Sequence, residues 1–158
     1  MGLDMFLIKR KKKIKDDSWN EVMYWRKANA IHRWFVENVQ NDVDDCGEYK
    51  VSRKQLEDLY EKCRKILVGA KLESAKIPNG YTYNNAGQKV VCEYIDGSII
   101  TNADYCEKIL PTQEGFFFGN TEYNNWYYDS IRETFFELDK ILQDFDFDEY
   151  DLIYTSSW

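Results

Sequence analysis

The twelve residues Tyr24-Trp25-Arg26-Lys27-Ala28-Asn29-Ala30-Ile31-His32-Arg33-Trp34-Phe35 hold the chain's only histidine, two of its five tryptophans and three cations. At about 100° per residue, Tyr24, Ala28, Ile31, Phe35 and Val39 fall on one side of a cylinder, which predicts an amphipathic helix laid against a core. Ser18 and Glu21 stand at capping-box spacing and set its expected start. A second apolar stripe, Met23, Ala30 and Trp34, predicts cover from more than one side, while Arg26 and Arg33 are expected in solvent. Along the flank Glu21, Trp25, Asn29 and His32 project together, so polar groups would edge the apolar face and wall a pocket. A lone histidine among aromatics is also an ordinary satisfied core residue. The pattern leaves both roles open.

The rest of the chain reads as short elements around that helix. Leu3 to Ile8 predicts a strand buried on much of both faces, followed by a basic run as a solvated turn. Residues 41–47 read as a turn and Glu48 to Val51 as a short strand. Ser52 and Gln55 form a capping box for a helix carrying Leu56, Leu59, Tyr60, Cys63, Ile66 and Leu67, which places Cys63 in the core. The stretch from Gly69 to Gln88, with Pro78-Asn79-Gly80, is expected to be a loop. Lys89 to Tyr94 and Ser98 to Thr101 are expected to form a hairpin turning at Asp96-Gly97. Asn102 or Asp104 starts a short helical turn before Pro111. Two glycines around Phe116-Phe117-Phe118 predict an apolar strand able to close over a flat ligand, or equally a core strand. Asn120 or Thr121 is the expected cap of a last helix bearing Tyr128, Ile131, Phe135, Leu138, Leu142 and Phe145, and Leu152 to Tyr154 the core of a terminal strand. Together these predict one α+β domain over residues 1–158. About three helices pack on a small antiparallel sheet whose first and last strands pair, with residues 69–109 as a loop and hairpin excursion.

Charge supports that pairing. Residues 1–15 carry six cations against Asp4 alone, and residues 120–158 carry ten acids against Arg132 and Lys140. The net charge of −7 argues against direct nucleic-acid binding through phosphates. No stretch of eighteen apolar residues and no signal-peptide run occurs, so a cytoplasmic protein without membrane attachment is expected. The cysteines at 46, 63, 92 and 106 lack metal or redox spacing, and no cofactor motif is present. Two aspartate clusters imitate calcium loops and fail them, with Arg53 and Thr155 where each needs its bidentate glutamate.

Three stretches, residues 1–5, Tyr24 to Phe35 and Leu110 to Gly119, resemble a family of short, mostly uncharacterised proteins of bacteriophages and bacterial chromosomes. The resemblance leaves residues 69–109 outside it. It implies a small phage-type accessory protein acting in the host cytoplasm, with interference in host defence as the expected context. Three functions follow as expectations. In the first, the protein captures a small nucleotide-like ligand, a host immune signal. Tyr24, Trp25, Phe117 and Tyr123 would stack, Arg26 and Lys27 would meet phosphates, and Asn29, His32 and Gln113 would read polar groups. In the second, acidic residues from Asp144 to Asp151, alternating along a strand, inhibit a host defence nuclease by mimicking nucleic acid. The third is an enzyme built on Cys46 or His32, disfavoured because Asp44 and Asp45 oppose a thiolate and no second histidine or phosphate loop accompanies it. The oligomeric state stays open, since a pocket completed by a second copy would look the same.

Overall fold

In the computed structural model, which describes residues 2–158, β1 (Asp4–Lys11) is the strand around which the main sheet is built. It pairs antiparallel with β2 (Glu21–Arg26) on one side and with β6 (Tyr150–Ser157) on the other. A short β3 (Tyr49–Val51) adds to β6, giving the order β2-β1-β6-β3. Alternation explains the choice: Met5 and Leu7 point into the core beside Met23 and Trp25 of β2 and Tyr154 of β6. The outer face is covered too. Ile8 and Ile153 are buried there, and Trp19 from the connecting loop lies edge-on to Phe6 at 5.0 Å.

The terminal strands pair as charge predicted, with Arg10 opposite Asp151 and Lys11 opposite Tyr150. The ion pairs are more local than the overall complementarity implied: Arg10 grips Glu48 and Lys50 reaches Asp151 at 3.1 Å. Exposed pairs of this kind contribute at most about 1 kcal/mol each, so the buried apolar alternation carries the register.

Four helices among the described residues complete the α+β fold: α1 (Asn29–Asn38), α2 (Arg53–Gly69), α3 (Ala103–Ile109) and α4 (Asn125–Asp144). The Ser52–Gln55 capping box forms in both directions and starts α2. Burial of Cys63 in that helix pushes its thiol pKa far up. Tyr60 of α2 stacks on Phe135 of α4 at 4.6 Å. None of these helices is long and apolar enough to cross a membrane.

Five expectations are corrected. The helix predicted from Ser18 begins only at Asn29, because residues 21–26 form the edge strand β2. Valine, methionine, tyrosine and tryptophan in succession suit a pleated surface, and Met23 and Trp25 turn inward while Tyr24 and Arg26 turn out. Ser18 instead bonds Asp16 and Asn20, and the chain turns into α1 through Lys27 at a φ of 56°. The expected loop at 69–88 is mostly β4 (Leu72–Tyr83), paired along its length with β5 (Lys89–Ile100). The hairpin turns at residues 84–88, where Asn84 and Gln88 bond each other, and not at Asp96-Gly97. The triple-phenylalanine stretch is a turn with Phe117 at a φ of 64°, so only Phe118 is buried. Asn124, not Asn120 or Thr121, caps α4 by accepting from the Trp126 backbone N–H at 3.0 Å.

Gly97 lies inside β5 because α4 comes so close. The Asn125 carboxamide accepts from Ser98 N–H at 2.9 Å, and a Cβ at Gly97 would stand 2.5 Å from that oxygen and 2.6 Å from Ile77. Gly97→Val is therefore expected to cost about 1–3 kcal/mol by overpacking, read as a lower urea midpoint with the hairpin amides exchanging fastest.

Candidate ligand site

The residues singled out in the sequence separate into three groups. His32 is fully buried. Its Nε2 lies 2.9 Å from Asp44 Oδ1 and its Nδ1 2.7 Å from the Tyr154 hydroxyl. A carboxylate only accepts, so Nε2 carries the proton and Nδ1 accepts from Tyr154. Burial lowers the histidine pKa, and the Asp44 charge opposes that shift without reversing it. Gln113 donates to the other Asp44 oxygen at 3.3 Å. Asn29 spends its side chain on the 112–120 segment, donating to the carbonyls of Phe118 and Asn120 and accepting from Gln113 N–H at 3.0, 2.9 and 3.1 Å. Trp25 points into the core and donates to Thr134 Oγ1 at 2.8 Å. These side chains form a buried polar lattice with their bonding capacity largely used.

A second group faces elsewhere. Tyr24 lies on the outer face of the sheet and donates to Asp4 at 2.6 Å. Tyr123 accepts from Thr112 N–H and lies against Tyr127. The third group does converge. Arg26, Lys27 and Asn29 line a cleft of about 280 Å³ between the start of α1 and the first turns of α4. Lys27 and Phe117 line a second of about 580 Å³ between the hairpin and the 115–119 turn. The two clefts share Lys27, Gly119, Asn120 and Trp126, and so form one branched depression.

Local chemistry explains its shape. Leu3 N–H donates to Phe117 O and Lys27 N–H to Leu3 O, at 3.3 and 2.7 Å, which stitches the N-terminus, the β2–α1 turn and the phenylalanine turn together. Gly119, at a φ of 90°, lets the backbone pass Lys27 where a Cβ would stand 3.2 Å from the lysine's own. Thus the N-terminal stretch, the turn before α1 and the phenylalanine turn meet around Lys27. Aromatic rings rim the opening: Trp126 and Phe117 are each 46% exposed, and Tyr81 packs under the Lys89 ammonium at 4.3 Å. Glu122 is the acid on the inner cleft.

Trp126, Tyr81 and Lys89 were missed in the sequence. The last two follow from the β4–β5 register, which puts Tyr81 and the Tyr83–Lys89 pair on the face turned toward the body. The tyrosines alternating at 81 and 83 were the available signal.

The depression offers stacking surface, cations and amides, and neither branch is lined by histidine or cysteine. Among the described residues no group of His, Cys, Asp and Glu is placed to hold a metal. Cys46 is exposed on the acidic turn, away from these clefts. The acidic stretch is also not the alternating strand expected of it. Asp146 accepts from the N–H groups of Asp148 and Glu149 in the turn between α4 and β6, and Asp151 pairs with Lys50.

The buried histidine makes stability pH-dependent. Its folded pKa lies below the ordinary 6.5, so the unfolded chain binds the proton more readily and the contribution, complete above 6.5, is lost as pH falls toward the folded value. With one histidine in the chain, the urea midpoint is expected to fall between about pH 7.5 and about pH 5.5. Equal midpoints would mean the imidazole is not held neutral. Asn29→Asp, which puts a carboxylate against two carbonyls, is expected to cost about 2–4 kcal/mol in the same assay. No protein-family model, curated protein or solved structure matches this chain, so its site is read from its own geometry.

Proposed function

We propose that this chain is a phage-type accessory protein that binds and sequesters a small nucleotide-like ligand in the branched cleft around Lys27, and that the ligand is a host immune signal. The observation that carries this is the meeting, on one open depression, of the Trp126, Phe117 and Tyr81 rings with the Lys27 and Lys89 ammonium groups. Rings at an opening stack on a planar base without regard to its identity, each such contact contributing about 1–3 kcal/mol. Lysines beside them meet phosphate as point charges. The cleft contains no evident nucleophile–base pair, which favours capture over turnover.

The sequence suggested that Trp25, Asn29, His32 and Gln113 would touch the ligand. In this proposal they position what does, because their polar atoms are engaged in the protein. The nucleic-acid-mimic alternative has less support, since the aspartates it needs are folded into a turn. The setting in a phage-infected cytoplasm comes from the sequence resemblance.

Native mass spectrometry after incubation with a nucleotide-rich extract of defence-activated cells tests this. A small mass retained by the protein and released on denaturation is expected. Trp126→Ala is expected to weaken its retention about tenfold or more by loss of one stacking surface, without changing the urea midpoint. A bare protein mass after incubation, or retention unaffected by Trp126→Ala and Lys27→Ala together, would contradict the proposal.

A further inference from the structure

The β4–β5 hairpin is a two-stranded sheet of its own, and its two outer edges are not alike. One register runs from Leu72–Ile100 to Tyr83–Lys89, so backbone direction alternates strictly along β5. At the root of the strand the N–H groups of Ser98 and Ile100 point away from β4, donating to Asn125 Oδ1 at 2.9 Å and to the Tyr123 carbonyl at 3.0 Å. By the same alternation the N–H groups of Val90, Cys92 and Tyr94 point outward, and among the described residues no strand pairs with them. The β4 edge is closed by contrast. Pro78 faces Tyr94 in a pair whose backbone groups turn away from the shared ladder, so this position gives the outer edge of β4 no N–H.

An open strand edge is a template for another strand, and its side chains decide which one fits. Lys89, Val91 and Glu93 lie on one face of β5, and Val90, Cys92 and Tyr94 on the other. The second row is in solvent, with Val90 36% and Tyr94 62% exposed and Cys92 exposed as well. The first row is held in place: the Lys89 ammonium lies over the Tyr81 ring at 4.3 Å, and Glu93 accepts from the Asn79 amide at 2.6 Å. When β5 is laid antiparallel against the same strand of a second copy, about a twofold axis at Val91, Lys89 faces Glu93 twice and Val90 faces Cys92 twice. The outward backbone groups of Val90 and Cys92 then bond each other across the axis. An axis at Cys92 would set Lys89 against Ile95, and one at Glu93 would oppose two carboxylates. The strand is thus complementary in charge to itself in the register centred on Val91.

We propose that the β5 edge is the interface of a symmetric dimer, in which two hairpins join as one sheet in the order β4-β5-β5-β4. The twofold axis crosses the sheet, so Tyr81 and Lys89 of both copies stand on the same face and the two clefts open on one side. This inference rests on the hairpin alone and holds whatever the cleft binds.

Sedimentation velocity of the full chain over micromolar concentrations is expected to show a monomer–dimer equilibrium. Glu93→Lys sets like charges opposite each other twice and is expected to weaken the dimer about tenfold or more. The exchange Lys89→Glu/Glu93→Lys restores both pairs and is expected to recover it. Cys92→Pro removes an outward N–H and no bond of the β4–β5 ladder, so it should give a monomer with the circular dichroism of the parent chain. A chain that sediments as a monomer throughout would overturn the second copy as occupant and leave the edge to a strand of another protein. A dimer indifferent to Glu93→Lys, or weakened by it and not recovered by the exchange, would overturn the Val91 register.

Discussion

One buried imidazole links distant parts of the chain. His32 sits on α1, receives the Tyr154 hydroxyl from the centre of β6 and donates to Asp44 in the turn after the helix. Beneath it Phe35 stacks on the Tyr154 ring at 3.9 Å, so the same tyrosine anchors both a polar and an apolar contact. A polar group buried so deeply is tolerable only when both nitrogens are met. That requirement holds the Asp44 turn against the helix, and Asp44 in turn receives Gln113 from the next segment. Asn29, one turn earlier on α1, fastens the other end of that segment through Phe118 and Asn120. The floor of the Lys27 cleft is therefore set by a lattice that takes no direct part in lining most of it.

Much of this was legible in the chain. The Leu3–Ile8 alternation, the Ser52–Gln55 box, the buried Cys63 and the opposite charges of the two ends each have a local physical cause, and each appears in the fold. The errors have causes as well. Trp25 fits a helical stripe and a strand alternation equally, and what decided between them was β1 needing a partner for its edge, a non-local requirement. In the hairpin, Pro78-Asn79-Gly80 and Asp96-Gly97 look like turns. They are carried within two strands whose free edges tolerate the proline and whose close approach to Asn125 needs the glycine.

The candidate site divides along the same line. Arg26, Lys27 and Phe117 were accessible to sequence reasoning because they flank a turn. Trp126 stands half-exposed in the first turn of α4, just after its cap Asn124, while Tyr81 and Lys89 become neighbours across a strand pair. His32 and Asn29 drew attention as polar residues on an apolar flank. They hold the site's shape by the same chemistry that made them conspicuous. The turn into α1 gathers Arg26 and Lys27 beside one cleft in a chain that is acidic overall.

A crystal structure of the full chain grown with adenosine monophosphate tests most directly whether ligand recognition belongs to the open aromatic cleft and not to the buried lattice. The account predicts the purine between Trp126 and Tyr81, the phosphate within about 4 Å of Lys27 or Lys89, and the Tyr154–His32–Asp44 contacts unchanged. A nucleotide seated against His32 with Gln113 swung away, or a cleft left empty at saturating nucleotide, would contradict it.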